Sequence, residues 1–186
     1  MAGQQDLTLP RPVTYDDYCQ FPDDGKRYEI LAGEIYVTPA PSPRHQYASK
    51  RLQRVLEQFF EGERACVVFA APIDVILAPD DVVQPDLVVA EKPRISARGI
   101  EGPPLVLVEI LSPSRTEYDR TTKARRYAAR RVLNFWVVDP EARTLECFRL
   151  DESVYRRDTA AAKDDTLAVP AFDGLTLQLG DLWLAL

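Results

Sequence analysis

The sequence predicts an α/β fold built on a mixed β-sheet, and three observations carry that prediction. Helical and strand patterns alternate through the middle of the chain. At residues 105–139 a Val- and Ile-rich strand (LVLVEIL), a break at Ser112-Pro113-Ser114, a basic helix and a second strand (NFWVVD) make a β–α–β unit, which requires a parallel pair. Hairpin patterns lie toward both ends and make the sheet mixed.

Residues 1–12 read as a loose arm, and the 186 residues as a single domain. Thr14 caps a short helix over 14–20, with Asp16 and Asp17 in its first turn. Asp23 to Lys26 is a turn. Residues 27–38, RYEILAGEIYVT, are two strands about Ala32-Gly33. A Pro-rich break over 39–43 precedes a helix over 44–61, whose Leu52, Val55, Leu56 and Phe59 recur at helical spacing and which Gly62 ends. Strands at 66–70 and 73–77 flank Pro72, and Asp80-Asp81 marks a turn. The strand at 82–90 is interrupted at Gln84-Pro85-Asp86, where a proline disrupts the ladder. Residues 92–104 read as a loop, with room for a short helical turn. The helix after the central strand runs over 117–131, and the strand at 134–139 turns back at Glu141-Ala142-Arg143 into one at 144–150. The tail holds short β pieces at 154–157, 166–169 and 175–179, and a closing turn at Trp183.

Composition excludes several classes. Cys19, Cys66 and Cys147 form no CxxC pair and no zinc spacing, and three widely spaced thiols point to a reducing cytoplasm rather than a disulfide framework. The N-terminus has no apolar signal core, and no stretch approaches the roughly 20 apolar residues of a membrane span. The net charge of −6 argues against a general nucleic-acid binder. Yet the helix at 117–131 and its approach are basic: Arg115, Arg120, Lys123, Arg125, Arg126, Arg130 and Arg131 stand against Glu117 and Asp119. Such a run is either a solvated face or a surface for a phosphate backbone.

The chemistry gathers on few residues. Glu109 lies inside LVLVEIL, where an ionised carboxylate is costly unless a cation or donors meet it. Asp86 sits after Pro85 at the centre of another apolar strand, as a site acid or a turn residue. Lys123 lies at the edge of the helix's small apolar face, Ala124, Tyr127 and Ala128. From there it reaches the end of Glu109's strand or pairs with Asp119 on the surface. Two carboxylates suit Mg²⁺ or Mn²⁺, and a lysine beside them can orient an attacking water. His45, the lone histidine, opens a helix, where capping is the ordinary role, and alternation would leave Glu29 in RYEIL facing solvent.

In their order and spacing YEILAGEIY, PAPSPRHQ, QPDLVV, VEILSPS, the YD…K…Y helix and FWVVDP resemble the Uma-two family of restriction endonuclease-like proteins, within the PD-(D/E)xK nuclease superfamily. The resemblance implies a mixed central β-sheet flanked by helices and metal-dependent cleavage of phosphodiester bonds. It matches Asp86 to the acid of PD and Glu109 to the acid of ExK. Leu111 stands where the lysine of ExK belongs, and Lys123 matches a lysine moved to the following helix. Glu29 and His45 match positions near the site. One departure is Arg131-Val132 where the family has Gly-Val, which puts the helix's left-handed cap in doubt.

The expectation is a restriction endonuclease-like endonuclease acting on nucleic acid, DNA in the first place. Asp86, Glu109 and the Ile110 carbonyl would bind Mg²⁺ or Mn²⁺, Lys123 would position water, and Glu29 would assist. His45, Arg120 and Arg126 would meet the substrate, and a homodimer in the cytoplasm is the expected assembly. The rival is a catalytically inactive binding or assembly module on the same fold.

Overall fold

The structure, a computed structural model, describes residues 12–22, 24–61, 65–112 and 118–185, and for Tyr118, Asp119 and Arg120 the backbone alone. The expected arm, apart from Pro12, lies outside the described residues, as do Asp23, the helix stop at Gly62 and the break at Pro113-Ser114.

The helices are α1 (Tyr15–Tyr18), α2 (Pro43–Phe60) and α3 (Ala124–Ala129). The strands are β1 (Arg27–Leu31), β2 (Glu34–Thr38), β3 (Cys66–Ala70), β4 (Val75–Ala78), β5 (Asp81–Val83), β6 (Leu87–Glu91), β7 (Ile95–Ser96), β8 (Gly99–Glu101), β9 (Val106–Ile110), β10 (Asn134–Asp139), β11 (Thr144–Asp151), β12 (Val154–Ala162), β13 (Thr166–Ala168) and β14 (Thr176–Gln178). They form two six-stranded mixed sheets, a first of order β2-β1-β5-β4-β8-β7 and a second of order β12-β11-β10-β9-β6-β3, with β13 and β14 a separate ribbon.

The α/β fold and its hairpins stand as expected. The β1–β2 turn needs Ala32 and Gly33 both at positive φ, 54° and 77°, the geometry that matches strand twist in a two-residue hairpin. A Cβ on Gly33 would lie 2.4 Å from that of Pro12, so glycine is required there. β9 and β10 pair in parallel, Val137 opposite Glu109. The expected strand at 82–90 is two strands in two sheets, β5 and β6, because Gln84-Pro85-Asp86 carries the chain from one sheet to the other. Residues 92–104 hold the short helical turn allowed for in the loop and also the strands β7 and β8, which were not expected; these strands are too short to show periodicity in sequence.

Alternation along β9 sorts its side chains between two apolar layers. Val106, Val108 and Ile110 face α2 and the C-terminal tail, with Leu52, Leu56, Trp136 and Leu177. Leu107 and Leu111 face the first sheet and α3, with Val83, Ile100, Tyr127 and Phe135. Glu109 shares the parity of Leu107 and Leu111, so it points into the layer between the sheets. A strand covered on both faces explains the unbroken apolar run around this acid.

The expected helix at 117–131 is shorter and irregular. Tyr118–Lys123 is a wide π-type turn, and regular helix begins at Ala124. Such turns occur often at functional sites, where they re-aim a side chain, and this one ends on Lys123. The left-handed cap survives without glycine. Arg131 takes φ 62°, its N–H donates to the Ala128 carbonyl at 3.0 Å, and that of Val132 to Tyr127 at 3.0 Å, a Schellman closure. A side chain in that region is strained by about 1–2 kcal/mol. Arg131→Gly is therefore expected to raise stability by about 0.5–1 kcal/mol, less what is lost with the exposed Arg131–Glu152 bond. Urea unfolding reads this directly, and a destabilised variant would refute it.

Among the described residues no helix is long and apolar enough to cross a membrane.

Candidate active site

Glu29, Asp86, Glu109, Lys123 and His45 come together from five separate segments, and all are buried, from 0% exposure at Glu29 to 8% at Asp86. β1 supplies Glu29, the β5–β6 link Asp86, β9 Glu109, the wide turn Lys123 and the first turn of α2 His45. Asp86, Glu109, Ile110, Lys123 and His45 line one cleft of about 210 Å³.

Lys123 is the hub. Its Nζ donates to Glu29 Oε1 at 3.0 Å and to Glu109 Oε1 at 3.1 Å. Lys123 does not sit on the surface: only 4% of it is exposed, and an ammonium so placed requires anions beside it; the side chain of Asp119, the alternative partner, lies outside what is described. Glu29 also accepts from the Gln84 N–H at 2.9 Å and from Thr38 Oγ1 at 3.2 Å. The solvent-facing alternative for Glu29 fails because β1 is an interior strand, between β2 and β5, and is covered. Glu109 Oε1 takes a short bond, 2.5 Å, from the Tyr127 hydroxyl. Tyr127 is legible in sequence as part of a helix's apolar face and of the YD…K…Y pattern, without a role of its own. The clue to more was a phenol among alanines, since a buried hydroxyl needs a partner.

Asp86 is held from two sides through one oxygen. Its Oδ2 accepts from the Ile110 N–H at 2.8 Å and lies 3.1 Å from His45 Nε2. Its Oδ1 accepts no hydrogen bond among the described residues. His45 thus reaches the site through its ring. The cap of α2 is Ser42, whose hydroxyl accepts from the His45 N–H at 3.3 Å. The ring's other nitrogen, Nδ1, is buried without a partner.

The arginines divide differently from expectation. Arg126 does not face the cleft: it forks onto the fully buried Asp81, Nε to Oδ1 at 3.0 Å and Nη2 to Oδ2 at 2.5 Å. These bonds hold the Arg126 guanidinium above its ordinary pKa. Arg130 joins it on Asp81 and Asp80, and the Ala32 N–H donates to Asp81 at 2.9 Å. This cluster ties α3 to the first sheet one turn after Lys123 and explains two of the basic residues as structural. The side chain of Arg120 lies outside what is described. Arg27, not singled out in sequence, borders the cleft instead; it donates to the Gln84 carbonyl at 2.7 Å. Gln84 also bonds Tyr18 at 3.0 Å and Asp74 at 2.9 Å, and burial, with Asp74 adjacent, pushes the Tyr18 hydroxyl up so that it remains a donor.

Two carboxylates and a neighbouring peptide carbonyl are the hard oxygen donors that Mg²⁺ and Mn²⁺ prefer. Among the described residues no group of three or more His, Cys, Asp or Glu forms a ready-made metal cage. An ion held by Asp86, Glu109 and the Ile110 carbonyl would take its remaining ligands from water. A larger cavity, about 320 Å³, lies under Ala128, Phe135, Phe148 and Tyr155 and has no acid in its lining.

The crystal structure of a "putative nuclease belonging to DUF820" from Anabaena variabilis ATCC 29413 superposes with a TM-score of 0.72 at 22% identity, covering 92% of this chain and 97% of that one, and so shares its fold. No curated protein matches the chain. A family model, Uma2, described as "Putative restriction endonuclease", matches residues 15–180. The chain belongs to the Uma2 family.

Proposed function

We propose that the protein is a divalent-metal-dependent endonuclease that hydrolyses phosphodiester bonds of nucleic acid, DNA in the first place. The observation that carries this reading is the buried Lys123 ammonium, 3.1 Å from Glu109 and 3.0 Å from Glu29, in the cleft that Asp86 lines. Asp86, Glu109 and the Ile110 carbonyl would hold Mg²⁺ or Mn²⁺. Such an ion, when bound, polarises a phosphoryl oxygen and makes water a better nucleophile. Lys123 orients the attacking water and offsets charge that develops on the phosphate. Glu29 holds Lys123 in position. Tyr127 holds Oε1 of Glu109, and His45 and the Ile110 N–H hold Oδ2 of Asp86, so that the other oxygen of Asp86 serves the reaction. Three free cysteines, Cys19, Cys66 and Cys147, support a cytoplasmic setting.

The test is cleavage of mixed DNA and RNA substrates with Mg²⁺ and Mn²⁺ by the full chain, beside Glu109→Ala and Lys123→Ala. Metal-dependent cleavage lost in both variants is expected. Cleavage that survives both changes sinks the assignment.

The rival, an inactive module on the same fold, draws support from the direct Lys123–Glu109 pair, which occupies an oxygen of one proposed metal-binding acid. It would pair as a homodimer through the apolar cavity beside the exposed Val154. A dimer by sedimentation without any Mn²⁺ uptake by calorimetry would favour it.

A further inference from the structure

Beside the acids lies a second, smaller cleft, about 100 Å³, that shares Arg27, His45 and Asp86 with the first. Its outer wall is a polar strip of α2, with Gln46, Ser49, Lys50 and Gln53. We propose that this cleft is an anion subsite in which Arg27 and Lys50 hold a phosphate of the polynucleotide other than the one being cleaved; the proposal rests on the nuclease reading and names where its substrate's backbone runs.

Charge supports it first. Several arginines of this acidic chain meet carboxylates: Arg44 pairs with Glu141, and Arg126 and Arg130 with Asp81. Arg27 is half-buried yet bonds only neutral acceptors, the Gln84 carbonyl at 2.7 Å and Gln84 Oε1 at 3.3 Å. Among the described residues neither Arg27 nor Lys50 has a carboxylate within ion-pair distance. A partly desolvated guanidinium without an anion is unfavourable, and its planar fork matches phosphate oxygens.

His45 supplies an independent sign. Its ring stands in the wall common to both clefts, 7% exposed, and Nδ1 is buried with no partner. Buried polar atoms are nearly always paired, so an orphan marks a place where a ligand or water completes the set. The positive end of α2 adds to this: its first turn holds no acid, and Ser42 and His45 border the acid cleft. Two clefts that share Arg27, His45 and Asp86, one running on to Glu109 and Lys123 and the other to Lys50, fit a ligand with successive phosphates. A phosphodiester chain has them, and a lone phosphate does not.

The experiment is binding of labelled duplex oligonucleotides to the full chain by fluorescence anisotropy, over a range of salt, with Ca²⁺ in place of Mn²⁺. The proteins are wild type, Arg27→Gln, Lys50→Gln and, as a charge-matched control away from both clefts, Lys92→Gln. Losing one phosphate contact is expected to reduce the slope of log K against log salt by about 0.9 and to weaken binding roughly tenfold. Arg27→Gln and Lys50→Gln should each show this, and Lys92→Gln should match wild type. The Lys50 side chain is exposed and, among the described residues, makes no hydrogen bond or ion pair, so its variant decides the matter even if Arg27→Gln unfolds. Slopes and affinities equal to wild type in the Lys50 variant overturn the subsite, as does a wild type that binds no duplex. Salt-dependent binding lost in the variants, in a wild type that never cleaves, upholds the subsite and removes the catalytic reading. Cleavage with unchanged slopes does the reverse.

Discussion

Lys123→Met is expected to destabilise the fold by about 3–5 kcal/mol, the range for removing one partner of a buried ion pair. Its ammonium lies 3.0 Å from Glu29 and 3.1 Å from Glu109, and neither carboxylate reaches solvent appreciably. Without the lysine two buried acids are left with no cation between them, so the penalty is the uncompensated charge rather than lost packing. That distinction is measurable. Lys123→Met combined with Glu29→Gln removes one of the two stranded charges and should recover about 1–3 kcal/mol in urea unfolding. Cleavage should not return, since the amine that orients water is still missing. A Lys123→Met protein as stable as wild type, or a double variant with no recovery, would show that the cluster is not held by charge.

Asp86→Asn should abolish Mn²⁺ binding and lower cleavage about a thousandfold, the scale of losing a charged group aimed at the reaction. The fold should survive, because an asparagine carbonyl can still accept from the Ile110 N–H, now at 2.8 Å from Oδ2. Stability within about 1 kcal/mol of wild type is expected, the worth of one hydrogen bond. Calorimetry with Mn²⁺ and the cleavage assay read the two effects separately. Undiminished Mn²⁺ uptake by the variant would remove Asp86 from the proposed metal set.

Much of this architecture was legible before any coordinates. Periodicity marked α2, the β1–β2 hairpin needed Ala32-Gly33, and β9 and β10 had to be parallel because only a crossover joins them. The buried state of Glu109 followed from its apolar flanks alone. The wide turn before α3 escaped notice, because a π-type turn and a regular one carry the same composition. β7 and β8, two and three residues long, fall below any periodic signal.

Chemistry-bearing residues were named by their chemical improbability: an acid in an apolar run, an acid after a proline, a lysine at the rim of an apolar face. Sequence alone could do that, because burial and charge conflict locally. It could not say what resolves each conflict. Only the fold places Lys123 between Glu29 and Glu109, 94 and 14 residues away, and sets Arg126 on Asp81 instead of in the cleft. Partners so distant leave no local pattern: the pairing is decided by how two sheets and a helix pack, and a basic run reads the same whether its charges meet phosphate, water or a buried aspartate.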